Sequence, residues 1–308
     1  MKGAESSVDE VLDRMDGWRS RPVDITQLTG GLANLNYLVQ VGDERYVVKL
    51  LTQSMDDFGL MIPIPHVIAN TTAAGEGGVG ARVVHALPDL AALVLEFIDG
   101  RTLATADLAH PDYVPRIGEA IRRLHTTVPA FGNQLEIWAL LERYLALVRE
   151  HALPTPDGLL DALPGVRAIE EALRRTAMEP VASHNDLLAL NLMDDGTIRL
   201  IDYDFSGAGD PCFDLGDVAM EGDYSVDDIE LLCRSYLGED RPDVVARARL
   251  FGIAAQYTWA LLFVGMDQLL SSKPDPGFDY FQEAVSRWEW TRGKLDAPDL
   301  GAVIDGLR

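Results

Sequence analysis

The chain has 308 residues, 47% hydrophobic and 24% charged, enough apolar material for a large core and a length that suggests two domains or two lobes. Its 26 basic and 49 acidic residues leave a formal charge of −23. A surface this acidic repels phosphate backbones and anionic lipid, which argues against nucleic-acid and membrane-surface binding. With only Cys212 and Cys233 there is no disulfide framework, and a reducing cytosol fits.

In chain order, Ser7 and Glu10 read as a capping box ahead of Val8, Leu12 and Met15, which share one helical face. That opening segment carries no secretory-signal pattern. Strand signals follow. Residues 24–29 lead to Gly30-Gly31, 34–41 alternate, Gly42-Asp43 turns, and RYVVKL at 45–50 alternates again. A helical stretch over about 63–77 precedes strands at 81–87 and 91–98, and Asp99-Gly100 ends the pattern.

Beyond residue 101 the apolar period becomes 3.6, which predicts helices near 113–126, 136–151, 164–177, 215–222, 226–236, 243–270 and 277–293. The exception is an extended section at 181–204 around an Asp194-Asp195-Gly196 hairpin turn. The most apolar run, 250–266, contains Gln256, Tyr257 and Thr258 and reads as a buried helix, not a membrane span. These runs predict an α+β protein: a small sheet-rich lobe over 1–98, then a larger helical lobe over 99–308. A cytoplasmic protein with no membrane insertion is the expectation.

The densest chemistry lies in SHNDLLALNLMDDGTIRLIDYDF, residues 183–205. Asp186 follows His184 by two residues, Asn191 follows Asp186 by five, and Asp202 ends an apolar strand. A carboxylate and a carboxamide one short loop apart can share a task, Asp186 meeting a hydroxyl while Asn191 turns toward a metal. Asp202 can emerge beside them and complete a hard-oxygen magnesium site. His, Asn and Asp are also common turn residues, so it is the combined spacing that carries the reading. Lys49 is the sole lysine between positions 2 and 273 and sits mid-strand, where burial is costly unless something anionic meets it.

His184-Asn185-Asp186, Asn191, Ile201-Asp202 and Phe213-Asp214-Leu215 resemble the signature of the choline/ethanolamine kinase and aminoglycoside phosphotransferase families. The resemblance implies a bilobal protein-kinase-like fold, with a small antiparallel-sheet lobe and a larger, mainly helical one. It implies that Asp186 orients or deprotonates an acceptor hydroxyl, that Asn191 and Asp202 hold magnesium on ATP, and that Asp214 braces the loop through backbone amides. Lys49 would grip the α- and β-phosphates. Thr29-Gly30-Gly31-Leu32-Ala33-Asn34 matches the family's G-G-x-x-N turn, which makes Gly30, Gly31 and Asn34 nucleotide-binding candidates. Glu96 and Ile98, in the strand and hinge between the lobes, are candidates for meeting adenine through their main chain.

Gly75-x-Gly77-x-x-Gly80 satisfies the dinucleotide fingerprint only as a string, because a helical pattern precedes it and a strand pattern follows. For the acceptor, Glu221, Trp259 and Tyr280 are the candidates, since aromatic faces and a carboxylate suit a cationic amine. Phe278, Phe281, Val285 and Trp288 form a helical stripe assigned to the core. Two departures stand out. No glutamate lies between Glu44 and Glu76, where kinases of this fold carry a small-lobe helix partner for the lysine; Asp56, Asp57 or the phosphates alone could serve. A second tryptophan is also missing, Leu262 standing three residues after Trp259. The expected activity is ATP- and magnesium-dependent phosphoryl transfer to a small-molecule hydroxyl, choline or ethanolamine first. The alternatives are an aminoglycoside, thiamine or similar alcohol, or a catalytically weak kinase-like nucleotide-binding protein.

Overall fold

The Ser7 hydroxyl accepts the Glu10 N–H while the Glu10 carboxylate accepts the Ser7 N–H at 2.7 Å, so the capping box starts helix α1 (Val8–Arg14). The computed structural model describes residues 6–28, 34–52, 58–270 and 277–307. Val11 and Leu12 of α1, with Trp18, bury against Val39, Val41, Val48, Leu50 and Val94 on one face of a five-stranded sheet. Its strands are β1 (Val23–Leu28), β2 (Leu35–Val41), β3 (Glu44–Leu50), β4 (Val83–Leu87) and β5 (Ala92–Glu96), ordered β1-β2-β3-β5-β4. Every neighbouring pair is antiparallel. Because side chains alternate along β3, Val48 and Leu50 face α1 and Lys49 points to the other side. On that side α2 (Ile64–Glu76) packs Val67 and Ile68 with Leu51, Ile62 and Leu93. Gly75, Gly77 and Gly80 thus lie at the end of a helix and before a strand, the reverse of a dinucleotide site.

From Arg101 onward helices dominate: α3 (Thr105–Leu108), α4 (Tyr113–Thr127), α5 (Ile137–Glu150), α6 (Leu163–Arg175), α7 (Pro211–Glu221), α8 (Val226–Leu237), α9 (Pro242–Leu269), α10 (Tyr280–Leu295) and α11 (Leu300–Asp305). The run 250–266 falls inside α9, which is enclosed by α5, α6, α7 and α10 and is a core helix. Gly216 of α7 and Gly252 of α9 let the two backbones touch; a Cβ on Gly216 would stand 2.3 Å from the Ala248 carbonyl oxygen.

The extended section holds more pairing than its hairpin. Strands β8 (Leu192–Asp194) and β9 (Ile198–Leu200) form that hairpin and β6 (Arg101–Thr102) adds to its edge, while β7 (Val181–Ser183) pairs antiparallel with β10 (Gly207–Gly209). A Gly-Ala-Gly segment has little strand propensity of its own. Its pairing is set from outside, since a Cβ on Gly207 would lie 2.7 Å from that of Leu135. Two boundaries also shift: β5 stops at Glu96, and α10 starts at Tyr280 because the Asp279 side chain accepts the Gln282 N–H at 2.9 Å. The α10 core stripe is rotated from the expected one. Tyr280, Ala284, Trp288 and Thr291 are buried, while Phe281 and Val285 are only partly so.

Candidate active site

The segment after β7 is held almost entirely by α7. Asp214 accepts the His184 N–H at 2.8 Å and the Asn185 N–H at 2.7 Å, and Asp217 accepts the Leu187 N–H at 2.6 Å. Asp214, Asp217 and Glu221 stand at i, i+3 and i+7 on one helix face, so three carboxylates line up along the loop that carries Asp186. Asp214 is completely buried, and burial works against its charge. The hydrogen bond from His125 Nε2 at 2.9 Å, the His125 and His184 rings and the loop amide nonetheless hold its pKa below the ordinary value. Asn185 (φ 64°) and Asp202 (φ 71°) both adopt the left-handed region, conformations that persist where the surrounding structure enforces them. The Asn185 side chain supplies part of that enforcement by accepting the Ser183 hydroxyl and donating to the Phe205 carbonyl.

Within this frame Asp186 and Asn191 meet. The Asn191 Nδ2 donates to Asp186 Oδ2 at 3.0 Å and to the Asp186 carbonyl at 2.8 Å. The Asp186 carboxyl remains partly exposed. Burial by the surrounding protein, then the negative charges of Asp217, Asp202, Glu221 and Asp204, push its pKa well above the usual carboxylate range. Asp217 is pushed to about 8 by burial and by Glu221.

Lys49 crosses from the sheet to this group. Its side chain is 6% exposed, and Nζ donates to Asp202 Oδ1 at 2.6 Å and Asp204 Oδ1 at 2.8 Å. Burial opposes the Asp202 charge, but Lys49 and a hydrogen bond from Asp204 keep its pKa low; burial and Asp202 raise Asp204 to about 7. The anionic partner expected for Lys49 therefore comes from the helical lobe. Asp56 and Asp57 lie outside the described residues, as do Gly30 and Gly31. Asn34 is buried, with its Nδ2 on Asp204 and its Oδ1 accepting the Thr52 N–H at 3.0 Å, so its side chain joins the lobes. Glu96 uses its N–H on the Arg82 carbonyl, and its carboxylate on the Arg82 N–H and Arg199.

The acceptor candidates separate. Glu221 contributes to the charge around Asp186, yet Arg287 Nη1 sits 2.7 Å from its Oε1. Arg287 also meets Glu283, Gln256 and the face of Phe263. Trp259 donates its indole N–H to Asp217 Oδ1 at 3.2 Å and packs edge-on to Phe205, which places it against the loop's support. Tyr280 is fully buried against Phe263 and Phe278, at the start of the inner face of α10. Sequence reasoning missed Asp204, Asp217, His125 and Arg287. The i, i+3, i+7 spacing was a legible signal for Asp217; the others carried none beyond their charge.

Two oxygen donors of the kind a hard cation takes stand at the loop, from Asn191 and Asp202. Asn191 gives its amide nitrogen to Asp186, which leaves its carbonyl oxygen available, and Asp202 presents a carboxylate whose side chain is 27% exposed. Four further carboxyl groups stand near Asp186, and among the described residues Lys49 and Arg287 are paired into the group.

The sequence matches the phosphotransferase enzyme family over residues 24–250. It is 26% identical to ethanolamine kinase 2 of Rattus norvegicus over 227 residues, covering 64% of this chain and 57% of that protein. It is 24% identical to protein LicA of Haemophilus influenzae over 214 residues, covering 68% of this chain and 62% of that protein. The chain thus spans less than two thirds of the length of these curated relatives. Among solved structures it resembles a choline/ethanolamine kinase family protein from Mesorhizobium loti, with a TM-score of 0.82 and 25% identity over 97% of this chain and 98% of that one. The choline kinase LicA from Streptococcus pneumoniae shares the fold, with a TM-score of 0.76 and 20% identity over 94% of this chain and 99% of the other. The family match runs from the first strand of the sheet into α9, through Lys49, Asp186, Asn191, Asp202 and Asp214, and the chain belongs to the phosphotransferase enzyme family.

Proposed function

We propose that this protein transfers the γ-phosphoryl group of ATP to the hydroxyl of a small cationic alcohol, choline or ethanolamine, in a magnesium-dependent reaction. The observation that carries the reading is Asp186, tied to Asn191 and ringed by Asp202, Asp204, Asp217 and Glu221, directly across from Lys49 in the sheet. The lobe boundary is proposed near residue 98, just past the last strand of the sheet.

Phosphoryl transfer asks the protein for alignment and charge neutralisation more than for covalent chemistry. Asp186 would accept a hydrogen bond from the acceptor hydroxyl and take its proton; an elevated pKa makes it a better base than an ordinary carboxylate. Lys49 would bind phosphate oxygens. Asn191 and Asp202 would hold magnesium, which when bound neutralises charge on the phosphates. The main chain of Glu96 and Ile98 would meet the base, and Gly30 and Gly31 would meet the phosphates. The Glu221 carboxylate near Asp186 favours a cationic acceptor over a neutral one. The similarity to ethanolamine kinase 2 and the LicA protein supports the same choice.

The test is ADP release from magnesium-ATP with choline and ethanolamine added separately, beside an Asp186→Asn protein. Release that depends on one amine and disappears in the variant is the expected result. Nucleotide binding with no amine-dependent release would remove the acceptor assignment.

A further inference from the structure

Three side chains from the sheet lobe converge on residues 202–206 of the helical lobe. Lys49 reaches Asp202 and Asp204, Asn34 reaches Asp204, and Asn70 of α2 donates to the Ser206 hydroxyl at 2.9 Å. The buried polar residues of α2, Asn70 and Thr71, are neutral, and the helix's one carboxylate, Glu76, lies exposed at its C-terminal end. A buried ammonium requires a carboxylate. Of the two on Lys49, Asp202 is 27% exposed and is the proposed metal ligand, whereas the Asp204 side chain is 4% exposed and turned into the protein.

We propose that Asp204 is a positioning residue: it holds the Lys49 ammonium in place for phosphate binding and is itself clamped by Asn34. The clamp is continuous. Asn34 grips Asp204 with its amide nitrogen and the Thr52 N–H with its amide oxygen, so the chain just past β3 and the carboxylate facing Lys49 are registered by one side chain. In sequence Asn34 stands three residues after Gly31. The carboxylate that a lysine of this kind needs is thus supplied from the opposite lobe, and the position of Lys49 depends on the lobes being docked. The proposal rests on the phosphate-binding role proposed for Lys49.

The test is a double-mutant cycle read by magnesium-nucleotide affinity as well as turnover, using Asp204→Asn, Lys49→Met and the double variant. Asp204→Asn is expected to weaken nucleotide binding about tenfold and to leave the acceptor KM within about twofold. Added to Lys49→Met it should cost no more than about a further twofold, because its effect passes through the lysine. Asp204→Glu should restore much of the affinity. Asn34→Ala, which keeps both charges, should weaken binding about threefold and serves if Asp204→Asn does not fold. Multiplicative losses in the cycle, or unchanged affinity in Asp204→Asn or Asn34→Ala, would overturn the proposal. A wild-type protein that binds no nucleotide would instead sink the phosphotransferase reading.

Discussion

Asp217 receives the backbone N–H of Leu187 at 2.6 Å, which fastens α7 to the residue immediately after Asp186. The same carboxylate accepts the Trp259 indole N–H, so α7, α9 and the loop share one buried anchor. Replacing it with alanine leaves two buried donors unsatisfied. Asp217→Ala should lose about 1–3 kcal/mol in urea unfolding and, by letting the loop drift, reduce kcat about 100-fold. The pH dependence follows from a pKa raised to about 8 by burial and Glu221. A carboxyl raised in the folded state supports stability while protonated and loses that support as pH rises through its folded value. The stability difference between Asp217→Asn and the wild type should therefore grow in favour of the variant from about pH 4 to about pH 8 and level off above it. A flat difference across that range would show that Asp217 titrates normally.

Asp214 carries the opposite sign. Its pKa is held low, burial being outweighed by His125 and the amides it accepts, so it is a charged brace at neutral pH. Asp214→Ala removes the acceptor for the His184 and Asn185 amides and for His125 at once. The expected loss is about 3–5 kcal/mol, typical of breaking a buried charged network, measured by denaturant unfolding. His125→Ala should lose less, because the two loop amides keep their acceptor.

The grouping of the loop's side chains was readable because it is local. Asp186, Asn191 and Asp202 lie within one loop and one hairpin, and the apolar strand between them announces where the carboxylate emerges. The strand alternation around Lys49 was equally plain, and it placed Val48 and Leu50 on the face opposite the lysine. What stayed hidden depends on separation along the chain. Lys49 and Asp204 are 155 residues apart, His125 and Asp214 are 89 apart, and Arg287 and Glu221 are 66 apart. No periodicity encodes such pairs. Tyr280 shows a related limit: periodicity gives the stripe on a helix, but which of two adjacent aromatic stripes faces inward is decided by α9.

Arg287 makes a prediction about the acceptor site. It holds Glu221, Glu283 and Gln256 together, and its side chain is nearly buried. If a cationic acceptor uses the charge of Glu221, then Glu221→Gln should raise the acceptor KM about tenfold and leave the nucleotide KM unchanged. Arg287 keeps Glu283 and Gln256 in that variant, so the fold should survive. Steady-state kinetics with each substrate varied in turn separates the two constants. An unchanged acceptor KM would place the ammonium group elsewhere.

The α7 carboxylates are positioned from the far side by a glycine. At Gly216 a Cβ would stand 2.3 Å from the Ala248 carbonyl oxygen and 2.7 Å from the Gly252 nitrogen, and both atoms belong to the α9 backbone. No rotamer change can relieve such a contact, so the helices must separate. Gly216→Ala should therefore cost about 3 kcal/mol or more in thermal or denaturant unfolding, despite the better helix propensity of alanine. Gly216 lies between Asp214 and Asp217, so the displacement would also move the amide acceptors of the loop. The folded fraction of this variant should show a lowered kcat with little change in the nucleotide KM, since Lys49 is held by the strand and by residues 202–204. A variant with wild-type stability would mean that α7 and α9 do not meet this closely at Gly216.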